Sequence, residues 1–324
     1  VPFVKLPTEM ITDRDGEMIS FAVKNGVDFV GISFVESGEH VEAVRKLTGG
    51  STPRIVAKIE NQGGLDNMDE ILKATDAAMI DRGDLSVETN LENLSVFQKT
   101  IIERARHYGC PVIVATEMLH NMIDHPFPTK AEVSDITNAV LDGCAATMLS
   151  GETAIGEHFL EAVQVMRQVS GAAERHEQKL LDRHRTEDAL DAAQAIEDAS
   201  ALICRSLPIT KIVAVTLTGY AARVLAARRP KQPILAVSSD PVAARSFNLL
   251  PGTEGIHANV EFSSKSTDHI IKCLEVCWEL GKIGESDVVF VTAVSYPSPG
   301  NTMNMIQTHH VGDLASAMGW SGRT

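Results

Sequence analysis

The sequence predicts an α/β fold in two domains. Three observations carry this expectation. The chain has 324 residues, enough for about two domains at roughly 150 residues each. Its first half repeats one unit five times: a short apolar run, a turn with polar residues, then an amphipathic stretch. A smaller pattern of the same kind follows a long helical stretch in the second half. Strand and helix alternation of this kind means parallel β-structure with right-handed crossovers.

Taken in order, Thr12 to Lys24 has helical periodicity and stops at Asn25-Gly26. The apolar runs are Val27 to Phe34, Arg54 to Ile59, Ala77 to Ile80, Val112 to Ala115 and Ala145 to Leu149. Their length and content of Val, Ile, Met and Ala suit buried parallel strands. Between them His40 to Leu47, Leu65 to Ala74, Leu94 to Tyr108 and Thr129 to Leu141 read as helices. Gly109 and Gly143 are helix stop signals. From about Phe159 to Leu207 the chain reads as long helices with charged faces, and Glu174 to Asp188 as a solvated helix and connector. The second pattern has strands at Lys211 to Val215, Pro233 to Val237 and Val288 to Thr292. Its helices are Tyr220 to Arg229, Pro241 to Leu249 and Thr267 to Leu280. The expected domains are 1–172 and 173–324.

Composition excludes several classes. Hydrophobic residues are 44% and charged residues 22%, which is not the composition of a disordered chain. No apolar run approaches the roughly 20 residues of a membrane span, so no membrane partner is expected. Gly and Pro, 23 and 13 residues, exclude collagen-like and low-complexity architectures. The net charge of −14 argues against a nucleic-acid partner, which needs clustered Lys and Arg. The five cysteines, Cys110, Cys144, Cys204, Cys273 and Cys277, are irregularly spaced, so a reducing cytoplasm is expected. Cys273 and Cys277, four apart in a helical pattern, read as core packing rather than a metal or redox pair. The sequence opens with Val1 and has no signal-peptide pattern, which predicts a processed chain or a piece of a longer one.

Polar residues gather at one end of the first five runs. Ser33 and Phe34 end the first, and Lys58 and Glu60 the second. Arg82, Gly83 and Asp84 follow the third, Thr116 and Glu117 the fourth, and Ser150, Gly151 and Glu152 the fifth. This is the site pattern of a β/α barrel. An open doubly wound sheet also places ligands at carboxyl ends, but no Gly-rich nucleotide fingerprint follows the first run. Lys58 and Glu60 are two apart, so they share a face. Adjacent strand ends bring Glu60 near Asp84, and two carboxylates with open positions suit Mg²⁺ or Mn²⁺. Gly83 leaves backbone N–H groups open to an anion. Lys58 can neutralise charge on a phosphoryl or enolate oxygen. A metal-assisted site and a structural ion-pair cluster both fit these residues.

With their flanks, these residues resemble the pyruvate kinase family over essentially the whole chain. The stretches are Ala57-Lys58-Ile59-Glu60-Asn61, Ile80 to Glu88, Val114 to Leu119, Ser134 to Gly143 and Met148 to Ala154. The resemblance implies transfer of a phosphoryl group from phosphoenolpyruvate to ADP, giving pyruvate and ATP. It implies Lys58, Thr116 and Ser150 as catalytic residues and Glu60 and Asp84 as ligands of Mg²⁺ or Mn²⁺. Arg82, Gly83, Asp84 and Thr116 form the implied substrate-binding set, with the Gly83 and Asp84 amides on the substrate carboxylate. Ser150 and Glu152 belong to the polar network behind the pocket. K⁺ is a further candidate cation, and a cytoplasmic homotetramer the implied assembly. The second domain resembles the family's C-terminal domain. There Thr216, Thr218, Gly219 and Tyr220 precede a helix that can receive an effector phosphate; an ordinary strand-to-helix turn is the other reading.

The chain also departs from the family's pattern. Asp81 stands where Ala is usual, Ser86 where Gly is, and Glu117 where Gln is. Phe127-Pro128-Thr129-Lys130 replaces Arg-Pro-Thr-Arg, and His120 and Asn121 replace residues common at a subunit contact. The added carboxylates at Asp81 and Glu117 raise the local negative charge unless a metal, Arg82 or another cation compensates. A closed barrel has eight strands, whereas five are counted here. The fold expected is therefore a partial TIM-type β/α barrel followed by a smaller open α/β domain. The family's first three strands and lid, with the arginine and monovalent-cation ligands they supply, are not in this sequence. A five-stranded sheet leaves apolar edges, so a companion segment, a longer parent chain or self-association is expected. Two other functions compete: a metal–enolate C–C lyase acting on a pyruvate-like acid, motivated by Asp81 and Glu117, and a non-catalytic regulatory paralogue.

Overall fold

Sequence-local signals set the ends of most elements. The computed structural model describes residues 10–50, 52–181, 192–263, 266–293 and 303–320. By its contacts the chain divides into two units, Val1–Arg185 and Thr186–Thr324. In the first, α1 (Asp13–Lys24) starts at a capping box in which Thr12 and Asp15 satisfy each other's backbone amides. It ends before Gly26, whose φ of 63° is the left-handed conformation a helix stop needs. Next come β1 (Phe29–Ile32), α2 (Gly38–Leu47), β2 (Arg54–Ile59), α3 (Gln62–Asp66), α4 (Met68–Ala74) and β3 (Ala77–Asp81). They are followed by α5 (Arg82–Glu88), α6 (Leu94–His107), β4 (Val112–Ala115), α7 (Lys130–Asp142), β5 (Ala146–Met148), α8 (Gly151–Ala154) and α9 (Phe159–Leu181). A second capping box, Thr129 with Glu132, opens α7. β1 is shorter than the run Val27 to Phe34, because the Val27 amide bonds back to Ala22 in the turn after α1.

The five strands form one open parallel sheet in the order β1-β2-β3-β4-β5. It is not closed into a barrel; β1 and β5 are its edges. Pairing sets Val56 beside Ala77, Lys58 beside Met79, and Asp81 beside Ala115. Side chains alternate, so Ile59, Ala78, Ile80, Val112 and Val114 point to one face. There they pack with Leu72, Ile101, Ile102, Ile136 and Ala139 of the covering helices. Burial of this apolar area is the main stabilising term, at roughly 25 cal/mol per Å². The opposite face carries Lys58, Met79 and Asp81. The expected boundary at 172/173 falls within the continuous α9, whose Ala173 still packs in this core. Part of the charged stretch Glu174 to Asp188 lies outside the described residues.

The second unit contains α10 (Ala192–Ser206), β6 (Lys211–Val215), α11 (Tyr220–Ala227), β7 (Ile234–Ser238), α12 (Pro241–Ser246) and β8 (Thr253–His257). Then come α13 (Asp268–Glu279), β9 (Val288–Ala293), β10 (Met305–His310) and α14 (Val311–Met318). Its sheet has the order β10-β9-β6-β7-β8, parallel except for β10. β8, β10 and α14 are additions to the elements expected from sequence. β8 carries Gly255 because a Cβ there would lie 1.7 Å from the Ala244 carbonyl oxygen, so its sequence lacks an apolar run. Cys273 and Cys277 are buried in the core between α13 and the sheet, as expected of packing residues. Among the described residues, no helix is long and apolar enough to cross a membrane.

Candidate active site

The site forms at the carboxyl ends of β2, β3 and β4. Lys58 and Glu60 share a face of β2 by alternation. Continuing the β2–β3 register one step beyond Ile59 and Ile80 puts Glu60 level with Asp81. The Lys58 ammonium contacts Glu60 Oε1, lies 3.1 Å from Asp81 Oδ2 and donates to Ser33 Oγ at 3.4 Å. Burial opposes the charge on Lys58, but hydrogen bonds and attraction from Glu60 and Asp81 outweigh it. Its pKa is therefore held above the ordinary lysine value. Glu60 is wholly buried, and its Oε2 accepts from the Phe34 amide at 2.6 Å. Glu60 Oε1 has no hydrogen-bond partner among the described residues apart from this contact with Lys58.

Asp84 lies exposed in the first turn of α5. Glu60, Asp81 and Asp84 each offer a carboxylate oxygen within 4.8 Å of the others, the spacing at which one cation can be shared. Glu60 and Asp84 thus meet as expected, and Asp81 joins them. The incompletely partnered buried oxygen of Glu60 fits a hard divalent cation held by carboxylates. Glu117 is exposed and outside that group.

Arg82 is engaged by acceptors of the protein itself. It is buried, and donates from Nη2 to the Thr116 carbonyl at 2.7 Å and from Nη1 to Asp135 Oδ2 at 2.6 Å. Nη2 also lies 3.0 Å from Met118 Sδ. In this geometry Arg82 ties the β3 end to the β4 end and to α7. The Gly83 amide donates to Thr116 Oγ1 at 2.8 Å, so it is already engaged. Thr116 has φ 69° and Glu117 φ 55°. Left-handed backbone at two consecutive non-glycine residues is strain of the kind that surrounding structure must hold in place, and Arg82 supplies such a hold.

Glu152 is buried and bridges two loops. It accepts from the Leu119 amide at 2.9 Å and from the Ser150 amide at 2.7 Å. Ser150 Oγ is buried with no hydrogen-bond partner among the described residues. Sequence reasoning missed Asp135 as the partner of Arg82, although it lies within the stretch Ser134 to Gly143. It also missed the Phe34 amide, since only the fold brings β1 beside Glu60. In the second unit, Thr216 is buried and its hydroxyl accepts from the Gly219 amide at 3.0 Å. That closes the turn on itself, with Thr218 exposed. At Gly219, φ is 88° and a Cβ would meet Phe247 at 2.5 Å, so packing as well as conformation requires glycine there.

The fold and this grouping define a class: parallel β/α domains whose polar residues converge at the carboxyl ends of the strands. Residues 1–163 match the family model of the pyruvate kinase barrel domain, and residues 194–309 that of the pyruvate kinase alpha/beta domain. The chain belongs to the pyruvate kinase family. It is 37% identical over 320 residues to a pyruvate kinase of Sporosarcina psychrophila, covering 97% of this chain and 54% of that protein. It is 35% identical over 322 residues to one of Bacillus licheniformis, covering 98% and 54%. To one of Geobacillus stearothermophilus it is 36% identical over 324 residues, covering 97% and 54%. The chain thus spans about half the length of these curated relatives.

Proposed function

We propose that the chain carries the metal- and phosphoryl-binding part of a pyruvate kinase site, moving a phosphoryl group from phosphoenolpyruvate to ADP in glycolysis. The observation that supports it most is the meeting of Lys58, Glu60 and Asp84 at adjacent strand ends. Phosphoryl transfer needs mainly positioning and neutralisation of charge. Lys58, kept protonated by its carboxylate neighbours, faces the transferring phosphoryl oxygens. Glu60 and Asp84 are the proposed ligands of Mg²⁺ or Mn²⁺, which when bound neutralises phosphoryl and enolate oxygens. The Gly83 amide takes the substrate carboxylate by exchanging its Thr116 hydroxyl acceptor for the anion. Thr116 then faces the substrate methylene that receives a proton. Arg82 acts as a positioning residue through the Thr116 carbonyl, and Ser150 and Glu152 hold the polar network behind the pocket.

Calorimetric titration with oxalate, a mimic of enolpyruvate, tests this reading. Binding is expected with Mg²⁺ and not without it, and is lost in Lys58→Met and Asp84→Ala. Metal-independent binding, or none, overturns the proposal. Asp81 still supports a lyase reading, since it changes the charge of the site; ADP phosphorylation against pyruvate release from 2-keto acids separates the two reactions. K⁺ dependence, a cytoplasmic location and a homotetramer are proposed from family membership. An effector phosphate at Thr216, Thr218, Gly219 and Tyr220 is proposed on the same ground, with loss of phosphate-ester binding in Thr218→Ala as its test.

A further inference from the structure

We infer that Asp81 is a third metal-facing carboxylate, and not only a partner of Lys58. The inference rests on the metal site proposed at Glu60 and Asp84 and adds a residue to it. The register between β2 and β3 sets Asp81 level with Glu60 on the face that carries Lys58. Its side chain is 11% exposed and that of Glu60 is 0%, so neither charge is well screened by water. Arg82, the next residue, directs its guanidinium to Thr116 and Asp135 and leaves Asp81 uncompensated from that side. Lys58 contacts both buried carboxylates. Three carboxylates and one ammonium therefore leave a formal charge of −2 within one cluster. Glu60 and Asp81 are buried and Asp84 is exposed, so with Lys58 the buried part of that charge is −1. A buried charge needs a counter-charge, and a divalent cation that Asp84 also reaches supplies it. Glu60 Oε1, buried beside two further carboxylates and with Lys58 as its one cationic contact among the described residues, is the second sign that the cluster is built around a cation. Without Asp81 the cluster would carry −1 and hold a divalent ion less tightly.

Mn²⁺ titration followed by electron paramagnetic resonance, which counts free Mn²⁺, gives a readout independent of turnover. Asp81→Asn keeps the side-chain shape and is expected to raise the Mn²⁺ dissociation constant at least about tenfold, as loss of a metal-orienting carboxylate does. Asp81→Ala should do the same, with circular dichroism confirming that each variant is folded. The decisive comparison is made in Lys58→Met. If Asp81 faces the metal, Asp81→Asn weakens Mn²⁺ binding there as well. If it acts only through Lys58, the effect disappears in that background and the inference is overturned. Glu60→Gln and Asp84→Asn separate the two levels of the argument. Loss of binding in these but not in Asp81→Asn refutes the role of Asp81 alone; retained binding in these, or none in the parent chain, refutes the metal site itself.

Discussion

Replacing Arg82 with methionine removes the group that joins the ends of β3 and β4 to α7. The side chain is 8% exposed and its partner Asp135 38%. A charge-assisted bond to a part-buried carbonyl such as that of Thr116 contributes about 1.5–3 kcal/mol. The ion pair contributes up to about 1 kcal/mol, because water reaches Asp135 and screens it. Methionine retains much of the apolar stem, which limits any cavity penalty. The first unit should therefore lose about 3 kcal/mol. Arg82→Lys keeps the charge but not the planar fork, and should recover less than half of the loss. Both tryptophans, Trp278 and Trp320, lie in the second unit, so their fluorescence reports that unit while far-UV circular dichroism reports both. In urea the dichroism transition should move down by about 1–2 M, with the fluorescence transition unmoved. A dichroism shift corresponding to less than about 0.5 kcal/mol, the size of an ordinary surface substitution, would refute the argument. So would a shift seen only in fluorescence.

Three further outcomes are expected. Burial raises the Asp287 carboxyl, but hydrogen bonds from Lys211, Thr210 and the Gly284 amide outweigh it and leave its pKa below the usual 3.8. The stability it contributes is thus present above that value and is lost as pH falls through the lower folded pKa; Asp287→Asn should flatten the acid limb of tryptophan-monitored unfolding, and an unchanged limb would contradict this. Burial pushes the Cys273 and Cys277 thiols up to about 12, so a thiol-specific reagent at neutral pH should label them only after unfolding, as peptide mapping will show. Ile155, Phe159, Leu160 and Val163 are exposed apolar side chains near one another in sequence, and the sheet has two open edges. Sedimentation should therefore find self-association, weakened by Phe159→Glu; a compact monomer would refute it.

Much of the first unit was legible in local sequence. Short apolar runs located β2, β3, β4 and β5 to within a residue or two, with glycine stops ahead of β4 and β5, because strands buried on a parallel sheet need continuous apolar side chains. Alternation alone put Lys58 and Glu60 on one face. The strand β8 escaped notice because close packing against Ala244 requires Gly255. The strand β10, Met305–His310, escaped because its antiparallel edge position tolerates polar residues. α5 was hidden in what read as a polar turn after β3.

What sequence by itself determined is which chemistry-bearing residues stand at which strand ends, since that depends on periods of two and of about 3.6 within one segment. Tertiary structure decided which of them meet. Asp81 joins Glu60 because of the register between two strands, and register is a relation between segments that neither segment encodes alone. Arg82 turns from the expected ligand pocket toward Thr116 and Asp135 because a buried guanidinium must have acceptors, and those acceptors are 34 and 53 residues away along the chain.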